Sequence, residues 1–143
     1  MNIREAAPQD APDIIRLMRI LAGEASEKIR LDVRGVEAFL AQGGSSVLLA
    51  EWEGHPVGLL SLSMRANLFH AGLTCTIEEL VVDEEARRQG VGSALLREAI
   101  NRSENAGCAE ISISTTADNT QAIALYRRFG LVDEAILLEK HFR

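Results

Sequence analysis

Residues 77–96 of this chain read IEELVVDEEARRQGVGSALL, and the pattern of the stretch changes twice. Residues 77–82 form an apolar run, rich in β-branched side chains, that carries two carboxylates, and such a run predicts a strand. An acidic hinge and a basic loop with two glycines follow, and after Gly92 the apolar residues recur at helical spacing. The stretch therefore predicts a strand, a glycine-bearing loop and a helix in direct succession.

The loop precedes the predicted helix, and this position favours an anion. The first N–H groups of a helix have no intrahelical partners, and the helix dipole attracts negative charge. Gly90 and Gly92 allow a ligand to approach the backbone without meeting a Cβ atom, and Arg87 and Arg88 add positive charge. We therefore expect a phosphate-bearing ligand here.

Two common phosphate-binding loops do not match this stretch. The dinucleotide-binding fingerprint requires a glycine where Leu95 stands, and the P-loop requires a Gly-Lys-Ser/Thr sequence that is absent. The loop by itself also leaves open a plain glycine-containing turn between a strand and a helix, with no ligand.

The composition is that of one globular domain. The chain has 143 residues, of which 47% are hydrophobic and 25% charged. Its net charge of −6 gives no electrostatic support for nucleic-acid binding and loosely favours a cationic substrate. No apolar run approaches the roughly 20 residues of a membrane span, and the N-terminal residues lack a signal-peptide core. We therefore expect a cytoplasmic protein without membrane or nucleic-acid partners.

The two cysteines, Cys75 and Cys108, are isolated thiols in strand-like runs. We expect them to be reduced core residues. Because there is no Cys-x-x-Cys pair and no cluster of Cys and His, no metal site is predicted.

Apolar periodicity and turn residues predict a mixed α/β chain of order β-α-α-β-β-β-α-β-α-β. An antiparallel meander that leads into parallel crossover units predicts a mixed sheet of about six to seven strands, with four helices distributed over both faces. The predicted strands are 2–5, 47–53, 57–64, 73–82, 109–115 and 135–139, and the predicted helices, with their caps, are 10–23, 32–42, 92–105 and 118–128.

Residues 119–131, NTQAIALYRRFGL, carry a second pattern. Either Asp118 or Asn119 caps the last predicted helix, and Asn119 can also offer its amide to a ligand. Tyr126 lies two turns further along the same side. Together with the loop at 87–92, this pattern resembles the GNAT superfamily of acyl-CoA-dependent N-acyltransferases, whose members typically read Asn-x-x-Ala-x-x-Leu-Tyr-x-x-x-Gly-Phe. Only Leu131 departs from it. The element order is also that of the family, so the resemblance spans nearly the whole chain.

The resemblance implies direct transfer of an acetyl group from acetyl-CoA, a co-substrate used without a metal, to an amine of a small molecule or peptide. This chemistry needs a neutral amine, a donor to the oxyanion and a proton for the thiolate. By resemblance, Glu78 is the base, Glu79 the second candidate, and Tyr126 the acid that protonates the thiolate. Adjacent strand residues face opposite sides of a sheet, so only one glutamate reaches a given cleft unless a bulge intervenes. The resemblance implies such a bulge.

The resemblance also implies how the coenzyme binds. Backbone groups of Leu80, Val81 and Val82 are expected to pair with the pantetheine arm as an added strand and to include the oxyanion donor. The pyrophosphate and its surroundings are expected to contact Arg87, Arg88, Gln89, Gly90, Val91, Gly92, Ser93 and Asn119.

The acceptor is not identified by any motif. Its pocket is expected to draw on the first two helices, the loop 65–72 and the C-terminal strand, where His70 either touches the acceptor or is an exposed loop residue. Ser114 stands where some peptide N-terminal acetylating relatives carry glutamate, which counts against that subclass. The alternative function is a non-catalytic acyl-CoA-binding regulatory module, which the retained Glu78 and Tyr126 disfavour. A homodimer is left open.

Overall fold

The structure of the protein, a computed structural model, describes residues 1–24 and 29–142. Its strands are β1 (Asn2–Glu5), β2 (Ser45–Trp52), β3 (His55–Asn67), β4 (Gly72–Val82) and β5 (Ile111–Ile113). Its helices are α1 (Ala11–Glu24), α2 (Val33–Ala41), α3 (Val91–Asn105) and α4 (Thr120–Arg128). Short 3-10 turns at Pro8–Asp10 and Glu84–Ala86 precede α1 and α3.

The five strands form one sheet in the order β1-β2-β3-β4-β5. The first four are antiparallel neighbours, and β5 pairs parallel to β4. The expected meander and mixed sheet are therefore confirmed. A parallel neighbour requires a crossover connection, and here α3 lies in it.

The predicted sixth strand, residues 135–139, is wrong. Residues 131–142 have no regular structure, and the described chain has five strands in the order β-α-α-β-β-β-α-β-α instead of six to seven. Ile136 and Leu138 are 87% and 88% exposed. A strand needs a neighbour for its backbone groups, and the short edge strand β5 does not pair with this segment. Hydrophobicity alone therefore misidentified it.

Each face of the sheet packs against two helices, as expected. On one face, α1 and α2 cover a core of Ala11, Ile14, Leu17, Val36, Val47, Leu49, Leu59 and Val81. On the other, α3 covers a core that α4 borders, and this core comprises Leu48, Ala50, Leu60, Leu62, Cys75, Ile77, Ala86, Val91, Leu95, Leu96 and Ala99. We call these the α1–α2 face and the α3–α4 face.

The start of α1 is tied to the sheet by Arg4. Its guanidinium donates two hydrogen bonds of 2.8 Å to Asp10 and one of 2.7 Å to Glu51. Asp10 was predicted to cap the first helix. Its carboxylate instead accepts the Ala7 N–H at 2.8 Å across the 3-10 turn. The Arg4 hydrogen bonds hold the pKa of this buried carboxyl below its ordinary range.

The thiols agree with the expectation for core cysteines. Cys75 and Cys108 are both free, Cys75 is buried, and Cys108 is half-buried. Burial raises the pKa of the Cys75 thiol. Among the helices the structure describes, none combines the length and apolar character needed to cross a bilayer.

Candidate active site

A β-bulge interrupts the pairing of β3 and β4. Ser61 pairs with Glu79, whereas the next residue of β3, Leu62, pairs with Ile77. Glu78 is therefore the extra residue of the bulge, with no partner on β3. The expected bulge is present, in the strand that precedes the glycine-bearing loop.

The bulge changes which side of the sheet each glutamate faces. Ile77 and Leu80 both pack against the core of the α3–α4 face, so the two residues between them turn to the other side. Glu78 and Glu79 accordingly both line a pocket on the α1–α2 face. Regular alternation would have placed only one of them there.

The pocket has a volume of about 460 Å³, within the range of small-molecule sites. It lies between the sheet and the two helices α1 and α2. Its apolar wall comprises Ile14, Met18, Leu31, Val36, Phe39, Val47 and Leu59, and its remaining lining comprises Gly35, Gln42, Ser61, Ser63, Glu78 and Glu79. The apolar wall and the two carboxylates thus lie in one cavity.

The two carboxylates differ in how they are held. The Glu79 N–H donates to Ser61 Oγ at 3.0 Å, and the Ser61 hydroxyl donates to Glu79 Oε1. Ser61 is buried and Glu79 half-buried. Glu78 is exposed, and no residue in the described chain forms a hydrogen bond or ion pair with its side chain. Glu79 is therefore oriented by the protein, whereas Glu78 is free to contact a ligand.

The sheet opens beside the bulge. The parallel pairing of β4 with β5 covers only Cys75, Thr76 and Ile77, opposite Ile111–Ile113. Residues 78–82 have β3 on one side, and none of the residues that the structure describes forms a strand on the other. From the bulge to the end of β4, this edge has no neighbouring strand in the described chain, and we call it the free edge of β4.

Alternation identifies which backbone groups face this free edge. The Asp83 N–H donates to Val57 O at 2.8 Å, so in an antiparallel ladder Val81 also turns its backbone groups to β3, and Leu80 and Val82 turn theirs away. The Val81 side chain is 3% exposed, in the α1–α2 core. Of the three predicted backbone contacts, Leu80 and the N–H of Val82 have the geometry to pair with a ligand, whereas Val81 is committed to the sheet.

The first turn of α3 presents unused donors. Gly90 adopts a left-handed conformation, φ +82°, and its carbonyl accepts the Ala94 N–H at 3.0 Å. Within the described chain, the N–H groups of Val91, Gly92 and Ser93 have no hydrogen-bond partner. The Val91 side chain is buried, so only its backbone can take part in binding.

The basic loop lies beside these donors. Arg87, Arg88 and Gln89 are exposed, and the Arg87 Nε–H donates to Val82 O at 3.1 Å. Gln89 donates its side-chain amide to Glu85 O at 3.3 Å. The free edge of β4 and the positive loop are therefore directly connected.

Gly92 has no packing reason to be glycine. A Cβ atom built there would meet nothing closer than Val82 Cγ2 at 3.8 Å and Leu125 Cδ2 at 3.9 Å. These are ordinary contacts, and they place α4 next to the first turn of α3. The fold would therefore tolerate a side chain at position 92. Because glycine has none, the backbone N–H groups of this turn stay accessible to a ligand.

The residues predicted on α4 lie where the motif suggested. Asn119 caps the helix, since its Oδ1 accepts the Ala122 N–H at 3.3 Å. Tyr126 is half-buried against the α3–α4 core, and this burial raises the pKa of its phenol. The hydroxyl therefore stays protonated at neutral pH. Tyr126 and the two glutamates lie on opposite faces of the sheet, on either side of the free edge of β4.

The described lining of this cavity contains no residue of the loop 65–72 or of residues 135–139, the two segments that the sequence analysis also expected in the acceptor pocket. His70 Nε2 lies 3.2 Å from Glu110 Oε2, and its ring meets the Phe69 ring edge-on with the centroids 5.2 Å apart. The sequence analysis missed Ser61, Ser63 and Gln42. The only signal for the serines was a polar residue in an otherwise apolar run.

Over residues 1–24 and 29–142, no group of three or more His, Cys, Asp or Glu side chains is arranged to hold a metal ion.

Comparison with known proteins identifies relatives of this chain. The model of a family described as Acetyltransferase (GNAT) family matches residues 14–131. Aminoalkylphosphonate N-acetyltransferase of Salmonella typhimurium is 31% identical over 143 residues, which cover 99% of this chain and 88% of the relative. Thialysine N-epsilon-acetyltransferase of Bos taurus is 27% identical over 144 residues, which cover 92% and 84%. A putative acetyltransferase from Agrobacterium tumefaciens superposes with a TM-score of 0.88 at 26% identity, over 99% of each chain.

Proposed function

This chain belongs to the GNAT family of acetyltransferases, and from that premise we propose that it transfers an acetyl group from acetyl-CoA directly to the amine of a small molecule, as a single catalytic domain. The observation that carries the proposal is the bulge at Glu78. It brings two carboxylates into one pocket beside the free edge of β4.

The free edge and the first turn of α3 support coenzyme binding. Leu80 and Val82 offer backbone groups to an extended amide-bearing arm, in the way that a peptide adds to a sheet edge. The unused N–H groups of Val91, Gly92 and Ser93 suit a pyrophosphate. The exposed Arg87 and Arg88 guanidiniums add positive charge for the same anion, and Asn119 lies at the start of the neighbouring helix.

The pocket on the α1–α2 face supports amine binding. An amine arrives protonated, because primary amines resemble lysine with a pKa of about 10.4. Glu78 accepts the proton, directly or through water, and Glu79, oriented by Ser61, attracts the cation. The neutral nitrogen then attacks the thioester carbonyl carbon.

The remaining steps concern the developing charges. A backbone N–H at the free edge, at Leu80 or Val82, donates to the oxyanion. When the oxyanion collapses and the carbon–sulfur bond breaks, the Tyr126 hydroxyl, kept protonated by its raised pKa, gives its proton to the thiolate. The acylated nitrogen loses its second proton to solvent, and a proton from solvent restores the Tyr126 hydroxyl. The products are an acetamide and free coenzyme A. Cys75 is fully buried, so it is not an acyl-accepting nucleophile.

Two measurements test the proposal on the full chain. Calorimetry is expected to detect acetyl-CoA binding, and a thiol reagent is expected to detect coenzyme A release when amines are added. Binding without release for any amine would instead identify a regulatory acyl-CoA-binding module. Absence of both binding and release would refute the proposed function.

A further inference from the structure

We propose that the acceptor is an amine with an apolar body and no acidic group, such as an arylalkylamine. This inference rests on the proposed function, because it treats the pocket on the α1–α2 face as the acceptor site. It names the substrate class, which the family relationship leaves open.

The first argument for this substrate class is the charge of the pocket. Its described lining includes two carboxylates, Glu78 and Glu79, and no Lys, Arg or His side chain. A substrate amine is cationic and matches these carboxylates. A carboxylate or phosphonate on the same small substrate would lie beside these two carboxylates, with no cation of the described lining to pair with, and such like-charge placement is a strong basis for rejection.

Arg16 of α1 is engaged outside the pocket. Arg16 lies two residues before Met18, a pocket residue, but its guanidinium donates to Asp83 Oδ2 at 3.0 Å and to Pro56 O at 2.7 Å. These contacts direct it toward the β2–β3 turn and the end of β4. Arg16 is absent from the described lining of the pocket.

The second argument for this substrate class is the apolar wall of the pocket. Three elements contribute apolar side chains to the same cavity: Met18 comes from α1, Phe39 from α2, and Leu59 from β3. Such a wall stabilises a hydrocarbon or aromatic body through removal of its apolar surface from water. A volume of about 460 Å³ suits a small molecule. The pocket thus offers carboxylates to a cationic nitrogen and apolar side chains to an apolar body.

The substrate class proposed here differs from the substrate that the name of one relative gives. The Salmonella typhimurium protein is named an aminoalkylphosphonate N-acetyltransferase and is 31% identical to this chain. An aminoalkylphosphonate carries a strong anion close to its amine. Since the described pocket lining offers no cation for that anion, we infer that the two proteins select different amines.

Initial rates of coenzyme A release test the inference on the unmutated 143-residue chain. Phenethylamine and phenylalanine form a matched pair, because they share the ring and the amine and differ by one carboxylate. We expect kcat/KM for phenethylamine to exceed that for phenylalanine by about 100-fold or more, and 2-aminoethylphosphonate to be acetylated poorly. Equal or better use of either anionic amine would overturn the inference and leave the proposed function standing. Absence of release with every amine would overturn both.

A charge inserted into the pocket provides a second test. Gln42 lines the pocket and is exposed at the end of α2, so Gln42→Lys is compatible with folding, and Gln42→Met is its neutral control. The lysine is expected to shift the ratio of the two kcat/KM values toward phenylalanine by about tenfold, whereas the control leaves the ratio unchanged. Met18→Lys places a charge on the α1 side of the pocket and should shift the ratio in the same direction. An unchanged ratio in both folded lysine variants would show that acceptors bind elsewhere and would overturn the inference.

Discussion

Ser61 and Glu79 are hydrogen-bonded to each other in both directions across the β3–β4 bulge. The Glu79 N–H donates to Ser61 Oγ at 3.0 Å, and the Ser61 hydroxyl donates to the Glu79 carboxylate. Glu78, the neighbouring residue, has no such anchor in the described chain, so the protein orients only one of the two adjacent carboxylates. This difference leads us to assign Glu79 to positioning and Glu78 to proton transfer.

The variant Ser61→Ala tests the positioning assignment. It leaves the Glu79 N–H and carboxylate without their partner, which should lower the free energy of unfolding by about 1–3 kcal/mol. It should also raise KM for the amine more than it lowers kcat. Ser63→Ala is the matched control, since Ser63 lines the same pocket but has only a 3.4 Å contact with Ser45 Oγ. Equal effects of both variants on urea unfolding and on KM would contradict the assignment.

Glu78→Gln is expected to lower kcat/KM by about 10²–10⁴-fold, the usual contribution of a general base. The acid limb of the pH–rate profile should change as well, while Glu79→Gln should affect that limb less. Coenzyme affinity should survive both changes, because neither side chain lies at the α3 first turn. If Glu78→Gln retains the wild-type rate and profile, the base is another group or solvent.

Gly92→Ala is expected to fold normally, because its Cβ would meet only ordinary contacts at 3.8 and 3.9 Å. The methyl group would obstruct the approach of a phosphate to the N–H groups of the first turn. We expect acetyl-CoA affinity to fall by about tenfold or more, a loss of at least about 1.4 kcal/mol in binding free energy. Gly43→Ala is the control, since a Cβ there has no neighbour within 4 Å. Calorimetry that finds the same affinity in both variants would exclude this loop as the pyrophosphate site.

Tyr126→Phe is expected to lower kcat by about 10²–10⁴-fold and to leave acetyl-CoA affinity nearly intact. Within the described chain the hydroxyl has no hydrogen-bond partner, so its removal orphans no group and should change the melting temperature little. Steady-state kinetics and thermal unfolding together check this prediction. Lost stability with an unchanged kcat would show that the hydroxyl is only a packing element.

Asp10→Asn is expected to lower the free energy of unfolding at pH 7 by about 1–2 kcal/mol. This is the usual contribution of a hydrogen bond between charged groups, reduced because Arg4 is partly exposed to solvent. Because the Arg4 hydrogen bonds lower the pKa of folded Asp10, the contribution is complete above the unfolded pKa of about 3.9. It disappears as the pH falls through the lower folded value. Urea unfolding at several pH values should therefore show the wild type and the variant converging in acid. Asp13→Asn is the control, because it removes only an exposed ion pair of 3.6 Å with Arg16, and it should lower the free energy of unfolding less at neutral pH. If the difference in unfolding free energy between the wild type and Asp10→Asn is the same at all pH values, the lowered pKa of Asp10 does not contribute to stability.

The sequence by itself determined the elements whose signals are local. The helical spacing after Gly92 predicted α3, and the start of that helix is confirmed within one residue. Asn119 was one of two predicted caps of α4, and it is the observed cap. The predicted strand at 73–82 agrees with β4 (Gly72–Val82). Periodicity, caps and loop glycines depend on neighbouring residues, so they can be read from the chain directly.

The tertiary structure alone decided the geometry of the pocket. Alternation along β4 predicts opposite faces for Glu78 and Glu79, and only the pairing of β4 with β3 shows the bulge that turns both to the α1–α2 face. Ser61, which lies 18 residues before Glu79 in the chain, becomes its partner through the same pairing. The apolar run at 135–139 forms no strand, because β5 does not pair with it. Register and strand pairing are set by contacts between distant residues, and no local pattern contains them.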